Sequence, residues 1–113
     1  MKLESLLQYA DDLLGVADHP DYPTAMNGLQ VAGPAGRPVR RIAAAVDASE
    51  AVLADAVEHE ADLLVVHHGL FWDGLRPVTG RRYRKLAHLL SAGLAVYSVH
   101  LPLDAHPEFG NCA

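Results

Sequence analysis

The sequence predicts an α/β domain, a layered βαβαβ sheet flanked by helices. Three observations carry that prediction. Short apolar runs rich in valine, leucine and alanine recur along the chain, at Ile42 to Val46, Leu63 to Val66 and Leu94 to Val99. Between them lie segments whose apolar residues repeat at helical rather than alternating spacing. The middle run is apolar at successive positions, the pattern of a strand buried on both faces in a parallel sheet.

The elements follow in order. From Lys2 to Leu14, residues Leu3, Leu6, Leu7, Ala10, Leu13 and Leu14 form one helical stripe, and Gly15 suits the left-handed residue that ends a helix. Asp18 to Pro23 is polar and proline-punctuated, so it is a loop. Asn27-Gly28 is a strong turn signal, followed by the short strand Leu29-Gln30-Val31. Gly33 to Pro38 is a second loop. Arg41 to Asp47 is a strand of small residues, against which something must pack closely. Ser49 caps a helix running to about Glu60, with Val52, Leu53, Ala56 and Val57 facing inward. The strand Leu63 to His68 comes next, then a loop from Asp73 to Thr79. Gly80 to Ala92 is a helix with Tyr83, Leu86, Ala87 and Leu90 on its apolar side and Gly93 at its end. Leu94 to His100 is the last strand, and Leu101 to Pro107 the loop beyond it.

Size and composition narrow the classes. A chain of 113 residues is one domain, spanning residues 1–113. A formal net charge of −5 argues against a protein that grips a phosphate backbone. The densest basic cluster, Arg81, Arg82, Arg84 and Lys85, reads as the wet face of a helix. The single cysteine, Cys112, excludes an internal disulfide and fits a reducing compartment; it has no partners for a catalytic thiol. No signal peptide opens the chain and no apolar run approaches bilayer-spanning length. A cytoplasmic protein without membrane or nucleic-acid partners is the expectation. No phosphate-binding or dinucleotide-binding glycine motif is present.

The chemistry gathers where the buried strand breaks off, at His67-His68-Gly69. In α/β sheets ligands are held at the carboxyl edge of the strands. If the strands are parallel, Asp104 in the last loop lies at the same edge. Two imidazoles and a carboxylate suit zinc, iron, manganese or nickel. Adjacent strand residues point to opposite faces, so either a turn at the frayed end gathers both rings, or each serves one ion of a pair about 3.5–4 Å apart. The bland alternative is that one histidine caps the sheet edge and the other is a surface group. His100 and His106 flank Asp104; each is a donor that could orient the carboxylate, a general acid or base near neutral pH, or simply a strand end and a turn. Phe71 and Trp72 either wall a planar substrate or pack, under their loop or against another subunit. His19, His59 and His88 read as solvated.

Three segments together carry a resemblance: Asn27-Gly28-Leu29-Gln30-Val31, then Val66-His67-His68-Gly69-Leu70-Phe71-Trp72, then His100-Leu101-Pro102-Leu103-Asp104-Ala105-His106-Pro107 with Gly110-Asn111. In order and spacing the chain resembles the GTP cyclohydrolase 1 type 2 homologue family, also described as Nif3-like. The resemblance implies an α/β fold with a dinuclear divalent-metal centre and assembly as toroidal homohexamers. It implies His67 on one ion and His68 with Asp104 on the other. It implies a metal-dependent hydrolase acting on a small molecule, GTP by the family's name. Family members are usually about twice this long or more and draw a further histidine and a bridging glutamate from near the C-terminus. The chain therefore resembles the family's N-terminal half. Weak or single-ion binding, exposed apolar surface and self-association would follow. The alternatives to a hydrolase are a non-catalytic metal-binding or assembly protein and an inactive fragment.

Overall fold

The computed structural model of the chain describes residues 1–72 and 74–111. Asp73, placed in the loop after the histidine strand, and Cys112, the lone thiol, lie outside the described residues.

Helix α1 (Leu3–Leu14) precedes strand β1 (Gly28–Val31), with a single 3-10 turn at Pro23–Ala25 between them. Strand β2 (Ile42–Asp47), helix α2 (Glu50–Glu58), strand β3 (Leu63–His68), helix α3 (Gly80–Ala92) and strand β4 (Ala95–Ser98) follow, then a helical turn, α4 (Leu101–Asp104). The sheet order is β1-β4-β3-β2. Strands β2, β3 and β4 are parallel, and β1 runs antiparallel to β4. The predicted βαβαβ unit is thus present, with the first short strand added at the edge next to β4.

Alternation along the central strands builds two cores. Leu64, Val66 and Val96 pack with Leu53 and Ala56 of α2 and Leu89 of α3 on one face. Leu63, Ala95, Tyr97 and Val99 face the other way, against Leu3, Leu6, Leu7, Ala10 and Leu14 of α1. Each fully buried leucine contributes about 1.5–3 kcal/mol. Tyr97, 1% exposed, is tied to α1 by its hydroxyl, which donates to Asp11 Oδ1 at 2.8 Å. Burial, then the Asp11 carboxylate, pushes the Tyr97 hydroxyl well above its ordinary pKa.

The local signals act as their chemistry predicts. Ser49 Oγ accepts from the Val52 N–H at 3.2 Å and starts α2. Gly15 and Gly93, both at positive φ, end α1 and α3.

Three expectations need correction. The inner face of α3 is turned from the predicted stripe: Leu89 is fully buried and Leu86 half-buried, whereas Tyr83 and Leu90 are exposed. The strand predicted to end at His100 stops at Ser98, because His100 and Leu101 turn to meet a loop near α1. The residues beyond it form a helical turn rather than a loop, with Pro102 in its first turn, where its missing N–H costs nothing. The small residues of β2 are packed as expected, with Ala43 and Ala45 under α2, while the opposite face of this edge strand is open, with Ile42 52% and Val46 64% exposed.

Candidate metal centre

Parallel pairing sets the carboxyl ends of β2, β3 and β4 side by side, with Asp47 opposite His68 and Ser98 opposite Val66. Two residues beyond Ser98, His100 arrives at the same edge. The rings of His67 and His68 lie 4.6 Å apart, those of His67 and His100 4.9 Å, and those of His68 and His100 5.4 Å. One ring nitrogen from each of the three falls within 4.8 Å of the others. The doublet thus converges at its strand end, and the third ring is one that the sequence marks only as an orienting or proton-moving group.

Each ring is fixed through Nδ1. His67 Nδ1 lies 2.9 Å from the Val99 carbonyl, His68 Nδ1 2.7 Å from Asp47 Oδ1, and His100 Nδ1 3.1 Å from Asp21 Oδ1. Carbonyls and carboxylates only accept, so in all three rings Nδ1 carries the proton and donates. The Nε2 lone pairs are left available. This is the arrangement in which an oxygen behind each imidazole sets its tautomer and raises its basicity for a metal in front.

Asp104 borders the group at His67. Its Oδ1 lies 3.5 Å from His67 Nε2 and accepts from the Asn111 amide at 2.6 Å. A lone pair facing a carboxylate oxygen is unfavourable unless a proton or cation sits between. Two donors each about 2.1 Å from one tetrahedral ion are separated by about 3.4 Å, so the pair is spaced to share one. The three imidazoles, with this carboxylate at the His67 edge, suit a borderline divalent ion. The structure puts Asp104 beside His67 in this way; the resemblance groups it with His68.

His106 does not join the cluster. Its Nδ1 accepts from the backbone N–H groups of Glu108 and Phe109, both at 3.1 Å, and its ring stacks on Phe109. It organises the turn after α4. Among the described residues, His19, His59 and His88 also lie outside the histidine group.

Four further residues support the cluster in roles that the sequence analysis does not assign to them. Asp21 is 5% exposed at its side chain. Beyond His100 it accepts from Asn27 Nδ2 at 2.9 Å, from the Leu101 N–H at 2.8 Å and from the Tyr22 N–H at 2.7 Å. Burial pushes its carboxyl up, but these hydrogen bonds together outweigh burial and hold it at about 2. Asn27 does more than turn the chain: its Oδ1 accepts from the His100 N–H at 2.7 Å. Gln30 accepts from the Leu70 N–H at 2.8 Å and donates to the carbonyls of Ala25 and Met26. A side chain at Gly69 would meet the Gln30 amide, which would have to shift and strain the hydrogen bonds it makes there. Asp47 could have been found from the sequence, since it ends β2 as His68 ends β3. The other three depend on partners far along the chain.

Trp72 closes one side. Its ring meets His100 edge-on at 4.4 Å and His68 at 5.9 Å, and Tyr22 packs on it at 6.1 Å. Trp72 thus stands beside the histidines and packs on Tyr22 of the loop before β1.

Fold and site define a class: an α/β protein that gathers imidazoles and a carboxylate at the carboxyl edge of a parallel sheet. Within it, the chain belongs to the Duf34/NIF3 (NGG1p interacting factor 3) family, whose model matches residues 1–113. It is 53% identical over 113 residues to a Halobacterium salinarum protein named GTP cyclohydrolase 1 type 2 homolog, covering 100% of this chain and 44% of that one. A Pseudomonas aeruginosa protein of the same name is 49% identical over 111 residues, covering 96% and 42%. Among solved structures, TTHA1606 from Thermus thermophilus superposes with a TM-score of 0.89 at 47% identity, covering 98% of this chain and 45% of that one. A protein described as ybgI, of unknown function, gives 0.88 at 45% identity, covering 98% and 44%. The chain spans less than half the length of these relatives. No helix among the described residues is long and apolar enough to cross a membrane.

Proposed function

We propose that the chain is the metal-holding part of a metal-dependent hydrolase. The observation that carries this reading is the shared tautomer: three imidazoles, each anchored through Nδ1–H to a backbone or carboxylate oxygen, leave their Nε2 atoms free, with one ring nitrogen of each within 4.8 Å of the others and His67 Nε2 beside Asp104. His67, His68, His100 and Asp104 would hold the ion. A divalent ion bound there would supply Lewis acidity and a water acidic enough to attack at neutral pH. Asp21, Asp47 and the Val99 carbonyl hold the rings in orientation, and Trp72 excludes bulk water from one side. The names of the relatives point to a purine nucleotide such as GTP, with water attacking the amidine-like carbon of its five-membered ring.

A second ion, with a histidine and a glutamate from elsewhere in the whole protein, belongs to the same proposal. So do assembly as a homohexamer and a cytoplasmic location. One observation favours a second reading, a non-catalytic metal-binding or assembly module. His106, the remaining candidate for moving protons, has its Nδ1 engaged by two backbone N–H groups.

The test is metal content per chain by elemental mass spectrometry, on protein purified without chelator, beside His68→Ala. Retention of about one ion or more per chain, lost in the variant, supports the metal reading. Release of ring-opened product from GTP then separates hydrolase from binding module. No retained ion in either protein overturns both.

A further inference from the structure

Beside Trp72 lies a second concave feature, a cleft of about 370 Å³ between the Gly69–Trp72 turn and α3. That is within the range of small-ligand sites, roughly 300–1,000 Å³. Phe71 and Trp72 form its apolar wall, and Arg76, Arg81, Arg82 and Lys85 line the rest. Four cations converge here in a chain whose net charge is −5.

The cluster is more than the solvated helix face that the sequence suggests. Arg84 is that face: it is exposed and paired with Glu50 at 3.0 Å. Arg82 and Lys85 are half-buried. Among the described residues no carboxylate comes within ion-pair distance of Arg81, Arg82 or Lys85. Burial, then repulsion from Arg82 and Arg81, lowers the Lys85 ammonium below its ordinary pKa, and Glu50 offsets this only in part. The two arginines also sit in the first turn of α3, where the helix dipole disfavours cations. That turn has no acidic residue and no side-chain cap, so its N–H groups are open to an acceptor. Burial, mutual repulsion and the dipole all oppose this grouping, and a multivalent anion relieves all three at once.

We propose that the cleft is a phosphate subsite: it holds the phosphoryl groups of a small phosphorylated ligand through Arg81, Arg82 and Lys85, while Trp72, shared by both features, leads the rest of the molecule to the histidine cluster. The proposal rests on the reading of that cluster as the reacting centre. It makes the substrate a phosphate ester or anhydride rather than a neutral base. The bidentate guanidinium forks provide the geometry that phosphate recognition uses.

Trp72 is the sole tryptophan, so its fluorescence reports on this cleft directly. The chain is titrated with inorganic triphosphate in the presence of EDTA. Expected is a saturable change, weakened about tenfold or more in Arg82→Gln and in Lys85→Gln, and unchanged in Arg84→Gln. Inorganic phosphate should bind more weakly than triphosphate, and GTP should displace triphosphate if the phosphoryl groups come from a nucleotide. If free polyphosphate is the ligand, triphosphate binds and GTP fails to displace it, and the subsite stands with that source. The proposal is overturned by absence of saturable binding. It is equally overturned if Arg84→Gln weakens binding as much as Arg82→Gln, which would mark diffuse attraction. Binding that vanishes in EDTA or in His68→Ala would place the anion on the metal and also overturn it. Loss of the metal reading looks different: no retained ion, with triphosphate binding intact.

Discussion

Asp21 is the residue on which the histidine cluster most depends, and Asp21→Ala is the most informative single perturbation. The carboxylate accepts four hydrogen bonds, from Tyr22 N–H, Asn27 Nδ2, His100 Nδ1 and Leu101 N–H, at 2.7 to 3.1 Å. Deleting it leaves the Asn27 amide, the His100 ring and the Leu101 N–H partly buried without an acceptor. Each orphaned donor costs about 1–3 kcal/mol, less what water recovers. The sum is about 3–5 kcal/mol, a large part of the roughly 5–15 kcal/mol that holds a domain folded. With a urea dependence of about 1.5 kcal/mol/M, the denaturation midpoint should fall by about 2–3 M. Because His100 loses the group that fixes its tautomer, metal affinity should fall about 10–100-fold. Asp18→Ala, an exposed acid in the same loop, should stay within about 0.5 kcal/mol of the parent. A loss below about 1 kcal/mol in Asp21→Ala, with metal affinity unchanged, would refute the claim that this loop braces the site.

Three further outcomes are expected. Gly69→Ala should displace the Gln30 amide and cost about 1–3 kcal/mol; thermal denaturation of Gly69→Ala, Gln30→Ala and the double variant should show strong non-additivity, since both lose the same hydrogen bonds. Asp62 is held below its ordinary 3.8, first by the Arg40 N–H, against burial, and then by the Arg41 N–H and the Arg37 guanidinium. A depressed carboxyl stabilises the fold above its unfolded pKa and loses that contribution as pH falls through the lowered native value, so acid unfolding monitored by circular dichroism below about pH 4 should lose this component in Asp62→Asn. Val46→Lys, on the open face of β2, should leave stability within about 0.5 kcal/mol while reducing self-association in sedimentation velocity.

How much was legible in the sequence depends on the range of the interaction. The layered sheet follows from local pattern: successive apolar residues from Leu63 to Val66, helical spacing on either side, and glycines at positions 15 and 93. His67 and His68 are visible because they end a strand, and Asp104 because it follows the next strand in the segment beyond its end, where parallel pairing brings it to the same edge. The role of His100 is ambiguous from sequence because it turns on the direction of one ring, set by Asp21 on a distant loop. Asn27 shows the same limit: Asn-Gly announces a turn, and nothing local announces that its side chain will hold the His100 backbone. Helix α3 fails differently. Tyr83, Leu86, Ala87 and Leu90 form a good stripe, but tertiary packing selects Leu89 instead. The half-buried Arg82 and Lys85 follow from the same rotation, which takes them off the wet face and into the cleft beside Trp72.

The central claim is that His67, His68 and His100 present their Nε2 atoms to a common ion, and imidazole nitrogen-15 spectra test it directly. In the apo chain these three rings should show the tautomer protonated on Nδ1. Titration with zinc should shift the Nε2 signals of all three together and leave those of His19, His59, His88 and His106 in place. A titration that moves none of the three, or that moves His106 in place of His100, would contradict the account.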